Sequence, residues 1–196
     1  MPRLPLLSLT LPIVLVVAGC SRQSAEQAQQ KEAPAAPPAQ ASESEAEALN
    51  GTLDRSHAGQ PLPAVTISGA NGIKLNLATL KGPLLVNLWA TWCAPCVAEM
   101  PKLDRLAHEP GMPRVLAVSE DLRGAAAVNP FLEQHQFLNL QPWLDPDNGL
   151  AMAYQANLPT TVLYNAEGKE VWRMQGGYDW SSDKAKALVA EANAKT

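Results

Sequence analysis

The chain has only three cysteines in 196 residues, too few for a disulfide-stapled scaffold. It has no excess of positive charge. Its 15 Lys and Arg stand against 19 Asp and Glu, a net charge of −4, which excludes the basic patch or stripe of a nucleic-acid binder. It has no apolar run of the roughly 20 residues needed to cross a bilayer, because the stretch from Leu4 to Val17 is interrupted by Pro5, Ser8, Thr10 and Pro12. Its histidines, His57, His108 and His135, are scattered, and none is spaced as a ligand pair for zinc. No segment repeats. What the chain does have is 46% hydrophobic residues, enough for a core over most of its length, and a length that suits one domain with appendages.

The first twenty residues have the size and flanks of an export signal, with Arg3 as the positive start and the apolar stretch after it. Val17-Ala18-Gly19-Cys20 resembles a bacterial lipobox. That resemblance implies cleavage before Cys20 and a lipid on the new N-terminal Cys20. The alternative is an ordinary signal peptide with a chance cysteine. Ser21 follows, not Asp, which by the usual sorting rule favours the outer membrane. Residues 21–50 are rich in Ala, Gln, Glu, Ser and Pro, with Leu49 the one large aliphatic. Such a segment cannot bury enough apolar surface to offset the entropy of ordering. As a coil it would reach on the order of 30 Å. The expected organisation is therefore a signal peptide over 1–19, a lipid-anchored linker over 20–50 and a globular domain over 51–196. Export places Cys93 and Cys96, the cysteines of that domain, in an oxidising compartment.

Periodicity within the domain gives an α/β reading. Residues 65–67 read as a short strand, Asn71-Gly72 as a hairpin turn, and Ile73, Leu75 and Leu77 as an alternating, half-buried strand. The near-continuous apolar run over 83–90 predicts a central strand covered on both faces. Val97, Met100, Leu103, Leu106 and Ala107 fall at helical spacing over 96–108, and Glu109-Pro110-Gly111 stops them. A buried strand follows over 114–119. A helix is expected over 130–137, capped by Asn129, and a short one over 150–155. Strands over 160–165 and 169–174 form a hairpin, and a last helix over 184–192 is capped by Ser181-Ser182. The expected architecture is a mixed central sheet flanked by helices.

Cys93-Ala94-Pro95-Cys96 lies where a buried strand hands over to a helix. The first helical N–H groups are unpaired there, and the macrodipole adds partial positive charge. A thiolate at Cys93 is stabilised by both, which lowers a cysteine pKa from about 8.5 into the range of roughly 3.5 to 7.5. Cys93 is expected to be exposed and nucleophilic, and Cys96, one turn inward, to be the resolving thiol. Pro95 sits in the first turn, where a missing N–H costs little. Haem attachment needs CxxCH, and residue 97 is Val. Glu99 follows Cys96 by three residues on the same helical face. Partial burial there would raise its pKa and suit it to relay a proton to or from a thiol. The competing reading is a solvated helix Glu.

The segment Leu84-Leu85-Val86-Asn87-Leu88-Trp89-Ala90-Thr91-Trp92-Cys93-Ala94-Pro95-Cys96 resembles the active-site segment of thioredoxin-fold proteins, especially TlpA/ResA-like periplasmic thiol-disulfide oxidoreductases. Pro101, Leu158-Pro159-Thr160-Thr161 and Asn165-Ala166-Glu167-Gly168-Lys169 match further, and the resemblance covers nearly all of 60–180. It implies a thioredoxin-like fold with an N-terminal β-hairpin extension, and a cis peptide before Pro159 packed against the cysteine motif. It implies that Trp92, Ala94, Pro95 and the open backbone of Leu158 meet the substrate, which adds as a short extra strand. Asn87 stands where thioredoxin has a buried Asp, so that base is absent and Glu99 becomes the relay candidate. Trp89 is expected in the core, Trp92 over the motif, and the loop over 177–180 in packing.

The resemblance also implies a mechanism. Cys93 attacks a target disulfide, and Cys96 then closes a Cys93–Cys96 bond and releases the reduced target. No organic cofactor and no metal are implied, the redox group being the cysteine pair itself. The expected partners are disulfide-containing proteins of cytochrome c or copper-site maturation or of general repair, and a membrane electron donor of the DsbD/CcdA type. Two other readings stay open: the same fold working as a disulfide donor, and a binding lipoprotein with a static disulfide.

Overall fold

The computed structural model describes residues 49–69 and 72–193. The expected signal peptide, Cys20, the linker up to residue 48 and Asn71 of the hairpin turn lie outside them. The strands are β1 (Asn50–Asp54), β2 (Thr66–Gly69), β3 (Lys74–Asn76), β4 (Leu84–Trp89), β5 (Arg114–Ser119), β6 (Trp143–Leu144), β7 (Thr160–Tyr164) and β8 (Glu170–Tyr178). The helices are α1 (Ala94–His108), α2 (Ala125–His135), α3 (Gly149–Tyr154) and α4 (Asp183–Ala190).

The strands form one mixed sheet in the order β1-β8-β7-β4-β5-β6-β2-β3. β4 and β5 pair in parallel, as do β5 and β6, while β7 and β8 run antiparallel to their neighbours. β4 is central and fully buried. Its side chains alternate between two cores. Leu84, Val86 and Leu88 join Ile67, Leu77, Leu150 and Val162 on one face. Leu85 and Trp89 join Met100, Leu103, Trp172, Trp180 and Leu188 on the other, under α1 and α4. By the same alternation Asn87 faces the α1 side, a polar residue placed inside an apolar layer.

Three elements differ from expectation. β1 had no apolar signal, because it is an edge strand with exposed positions that pairs only with β8. Gly51 permits that pairing: a Cβ there would stand 2.8 Å from the Gly176 carbonyl oxygen. β6 is two residues long, too short for any period to show. α2 begins at Ala125, five residues before the expected start, and Pro130 lies inside it. Burial of Ala127 and Val128 against the core draws the first turns into the helix despite the proline. The helix ends at His135, before the expected 137, with Gln136 in the left-handed region at φ 51°.

Candidate active site

α1 starts one residue after Cys93, which takes the N-cap position in extended conformation. Its Sγ accepts the Cys96 N–H at 3.4 Å, and its carbonyl accepts the Val97 N–H at 3.0 Å. Cys93 and Cys96 are joined as a disulfide. The expected exposure of Cys93 is corrected: the residue is only 5% exposed, and Cys96 is fully buried. The disulfide turns the Cys93 sulfur back over the first turn of α1, so that Ala94 and not Cys93 is the exposed residue of the motif, with Pro95 half-buried.

Glu99 is fully buried on α1, not merely partly so, and the solvated alternative falls. Three donors converge on it. Asn87 Nδ2 donates to Oε1 at 2.8 Å, and the Tyr178 N–H and Trp180 Nε1 donate to Oε2 at 2.8 and 3.0 Å. Burial pushes the carboxyl up to about 7, and the three hydrogen bonds pull against that shift. The result is a carboxyl poised to gain or lose a proton near neutral pH, three residues from Cys96. Asn87 also donates to Thr161 Oγ1 at 2.9 Å, tying β4 to β7 beneath the motif.

Two expectations change here. The segment over 177–180, whose first two residues belong to the end of β8 rather than to a loop, does pack, with Trp180 fully buried beside Trp172, but it also supplies two of the three donors to Glu99. Asn87 is not simply a lost base, since it holds the carboxyl that is present. One signal was available in the sequence: a buried Trp or Asn needs a partner for its N–H groups.

The Leu158–Pro159 peptide is cis, Pro159 is buried and Leu158 is half-buried. Pro159 stands at the start of β7, at the same end of the sheet as the β4–α1 junction, because Leu88 pairs with Thr160. Trp89 lies in the core as expected, and Trp92, next to Cys93 in the chain, stands 70% exposed. Among the described residues, no group of three or more His, Cys, Asp or Glu is placed to hold a metal ion, and no helix is long and apolar enough to cross a membrane.

The sequence profile of the AhpC/TSA family matches residues 58–172, more than half of the chain. The chain belongs to the AhpC/TSA family. Within that family it is TlpA/ResA-like. It is 34% identical over 150 residues to the thiol:disulfide interchange protein DsbE of Pseudomonas fluorescens, covering 68% of this chain and 79% of that protein. It is 32% identical over 116 residues to the thiol-disulfide oxidoreductase ResA of Bacillus subtilis, covering 58% of this chain and 64% of that one. The chain thus spans less than two thirds of the Bacillus protein. Among solved structures, a thio-disulfide isomerase from Thermus thermophilus superposes with a TM-score of 0.57 at 27% identity, over 70% of this chain and 98% of that one. The thioredoxin-like architecture expected from the motif is that of these AhpC/TSA relatives.

Proposed function

We propose that this chain, of the thiol-disulfide oxidoreductase class of its relatives, is an exported, lipid-anchored reductant of protein disulfides. The observation that carries the reading is the Cys93–Cys96 disulfide at the N-terminus of α1, with the buried Glu99 carboxyl one turn further along the same helix. In the reduced state the Cys93 thiolate attacks one sulfur of a target disulfide and expels the other as a thiolate. Cys96 gives its proton to Glu99 and attacks the Cys93 sulfur. The mixed disulfide breaks, the target leaves with two reduced sulfurs, and two electrons have passed from the cysteine pair to the target. The pair itself is the redox group. Trp92, Ala94, Pro95 and the Leu158 backbone form the surface that receives the target chain, which pairs as an added strand.

The lipobox-like Cys20 supplies the anchor, and Ser21 favours the outer membrane. A DsbD/CcdA-type membrane donor re-reduces the pair, and the targets are proteins of cytochrome c or copper-site maturation or misoxidised proteins. The test is the reduction potential of the Cys93/Cys96 couple, followed by tryptophan fluorescence in glutathione or dithiothreitol buffers. A value near or below about −220 mV is expected of a reductant fed from a membrane donor. A value near about −120 mV would make the protein a disulfide donor instead.

A further inference from the structure

Asp121, the second residue beyond the C-terminal end of β5, is buried and belongs to a different loop from the cysteine motif. Its carboxylate nevertheless reaches that motif. The Thr91 N–H donates to Oδ2 at 2.8 Å, and Thr91 Oγ1 donates to Oδ1 at 3.1 Å. Ser119 Oγ donates to Oδ2 at 3.0 Å and accepts the Asp121 N–H at 3.2 Å, which fixes the carboxylate from behind. Thr91 is the second residue of the tight turn that links β4 to α1, closed by the Cys93 N–H donating to the Ala90 carbonyl at 3.1 Å. β5 is held to the same place by the Glu120 N–H, which donates to the Trp89 carbonyl at 2.9 Å. The Thr91 N–H and the Thr91 hydroxyl of the turn thus both end on a single side chain from the loop that follows β5.

We propose that Asp121 is a positioning residue for Cys93: by clamping Thr91 it fixes the 90–93 turn, and so keeps Cys93 Sγ at the Cys96 N–H and the open end of α1. Freed from the clamp, the turn pivots on a single closing hydrogen bond, and the sulfur loses the donors that stabilise its thiolate. The inference rests on Cys93 being the reactive sulfur, but not on the direction of electron flow or on any particular target.

The test compares Asp121→Asn with Asp121→Ala. Both remove the negative charge, so the difference between them isolates the clamp. Asn keeps it: its Oδ1 accepts from the Thr91 N–H and Ser119 Oγ, and its Nδ2 donates to Thr91 Oγ1, whose hydroxyl can also accept. Ala keeps none of these bonds. The readout is the pH profile of Cys93 alkylation in the reduced protein, resolved by peptide mass, which involves no substrate. The Ala variant is expected to show a Cys93 pKa about one unit above that of the Asn variant, a roughly tenfold slower alkylation at a pH below both values. A purely structural role would lower the melting temperature of both redox states and leave the two profiles superimposed, which overturns the proposal. If Asp121→Ala does not fold, hydrogen exchange at the Thr91 amide of the unaltered protein decides. Protection in both redox states is expected, and exchange at the rate of an open turn overturns the proposal. A reduction potential near that of a disulfide donor would sink the proposed direction of transfer and leave the clamp standing.

Discussion

Replacing Glu99 by Gln should change how the stability of the protein depends on pH. The folded carboxyl titrates at about 7 because burial outweighs its three hydrogen bonds, against about 4.5 for a free glutamate. A carboxyl raised in this way holds its proton in the folded state at pH values where the unfolded chain has released it. Its contribution to stability is therefore fully present below about pH 4.5 and is lost as pH rises through about 7. The interval corresponds to about 3 kcal/mol, a large part of the total stability of a domain this size. Gln occupies the same volume without titrating. Its oxygen can accept from the Tyr178 N–H and Trp180 Nε1, and its amide nitrogen then faces Asn87. The Asn87 amide can reverse to meet it, since its Oδ1 has no hydrogen-bond partner among the described residues. Urea unfolding of the oxidised protein at pH 5 and pH 8 reads the effect without interference from thiol titration. Because pH 5 already lies inside that interval, the unaltered protein should lose about 2.5 kcal/mol more than Glu99→Gln between the two pH values, a difference of about 1–2 M in the change of midpoint. Other buried carboxyls are common to both proteins and cancel. Equal losses in the two proteins would refute the view that burial makes Glu99 a near-neutral proton carrier.

Two further outcomes follow from buried carboxylates. Asp104 on α1 receives the N–H groups of Leu138, Asn139 and Leu140 and the Asn139 side-chain amide, so Asp104→Ala should cost about 2–4 kcal/mol and lower the melting temperature by roughly 10 °C. An unchanged melting temperature in calorimetry would show that the 138–140 loop is held by something else. Glu120 is buried, and burial first and the neighbouring Asp145 second push it up to about 8. Its stabilising contribution is therefore present at low pH and lost as pH rises through 8, so Glu120→Gln should gain on the unaltered protein between pH 6 and pH 9 in thermal unfolding. A gap between the two that stays constant over that range would count against it.

β4 and β5 were legible in the sequence because a strand covered on both faces is written as an unbroken apolar run. α1 was legible because its stripe repeats at three and four. The cysteine motif could be placed at the strand–helix junction for the same reason. β1 was not legible: its hydrogen bonds to β8 connect residues more than 100 positions apart, and an exposed edge needs no apolar pattern. The surroundings of Glu99 illustrate the same limit. Its spacing from Cys96 follows from helical geometry, but its donors come from β4, from Tyr178 at the end of β8 and from Trp180 just beyond it, the last two lying 79 and 81 residues further along the chain. The burial of Cys93 depends on which way its sulfur turns, which no spacing records. No spacing in the sequence links Asp121 to Thr91, and the parallel pairing of β4 with β5 brings them together.

The pairing of β1 with β8 also decides where the chain enters the domain. Asn50 stands opposite Tyr178, and β8 ends at the side of the sheet where Pro159 leads into β7 and where the turn after β4 leads to Cys93. Whatever is attached upstream of Asn50 therefore pulls from the reactive end. A pull on the chain there acts, through the hydrogen bonds between β1 and β8, on the end of the sheet that carries the cysteine pair and not on the opposite end.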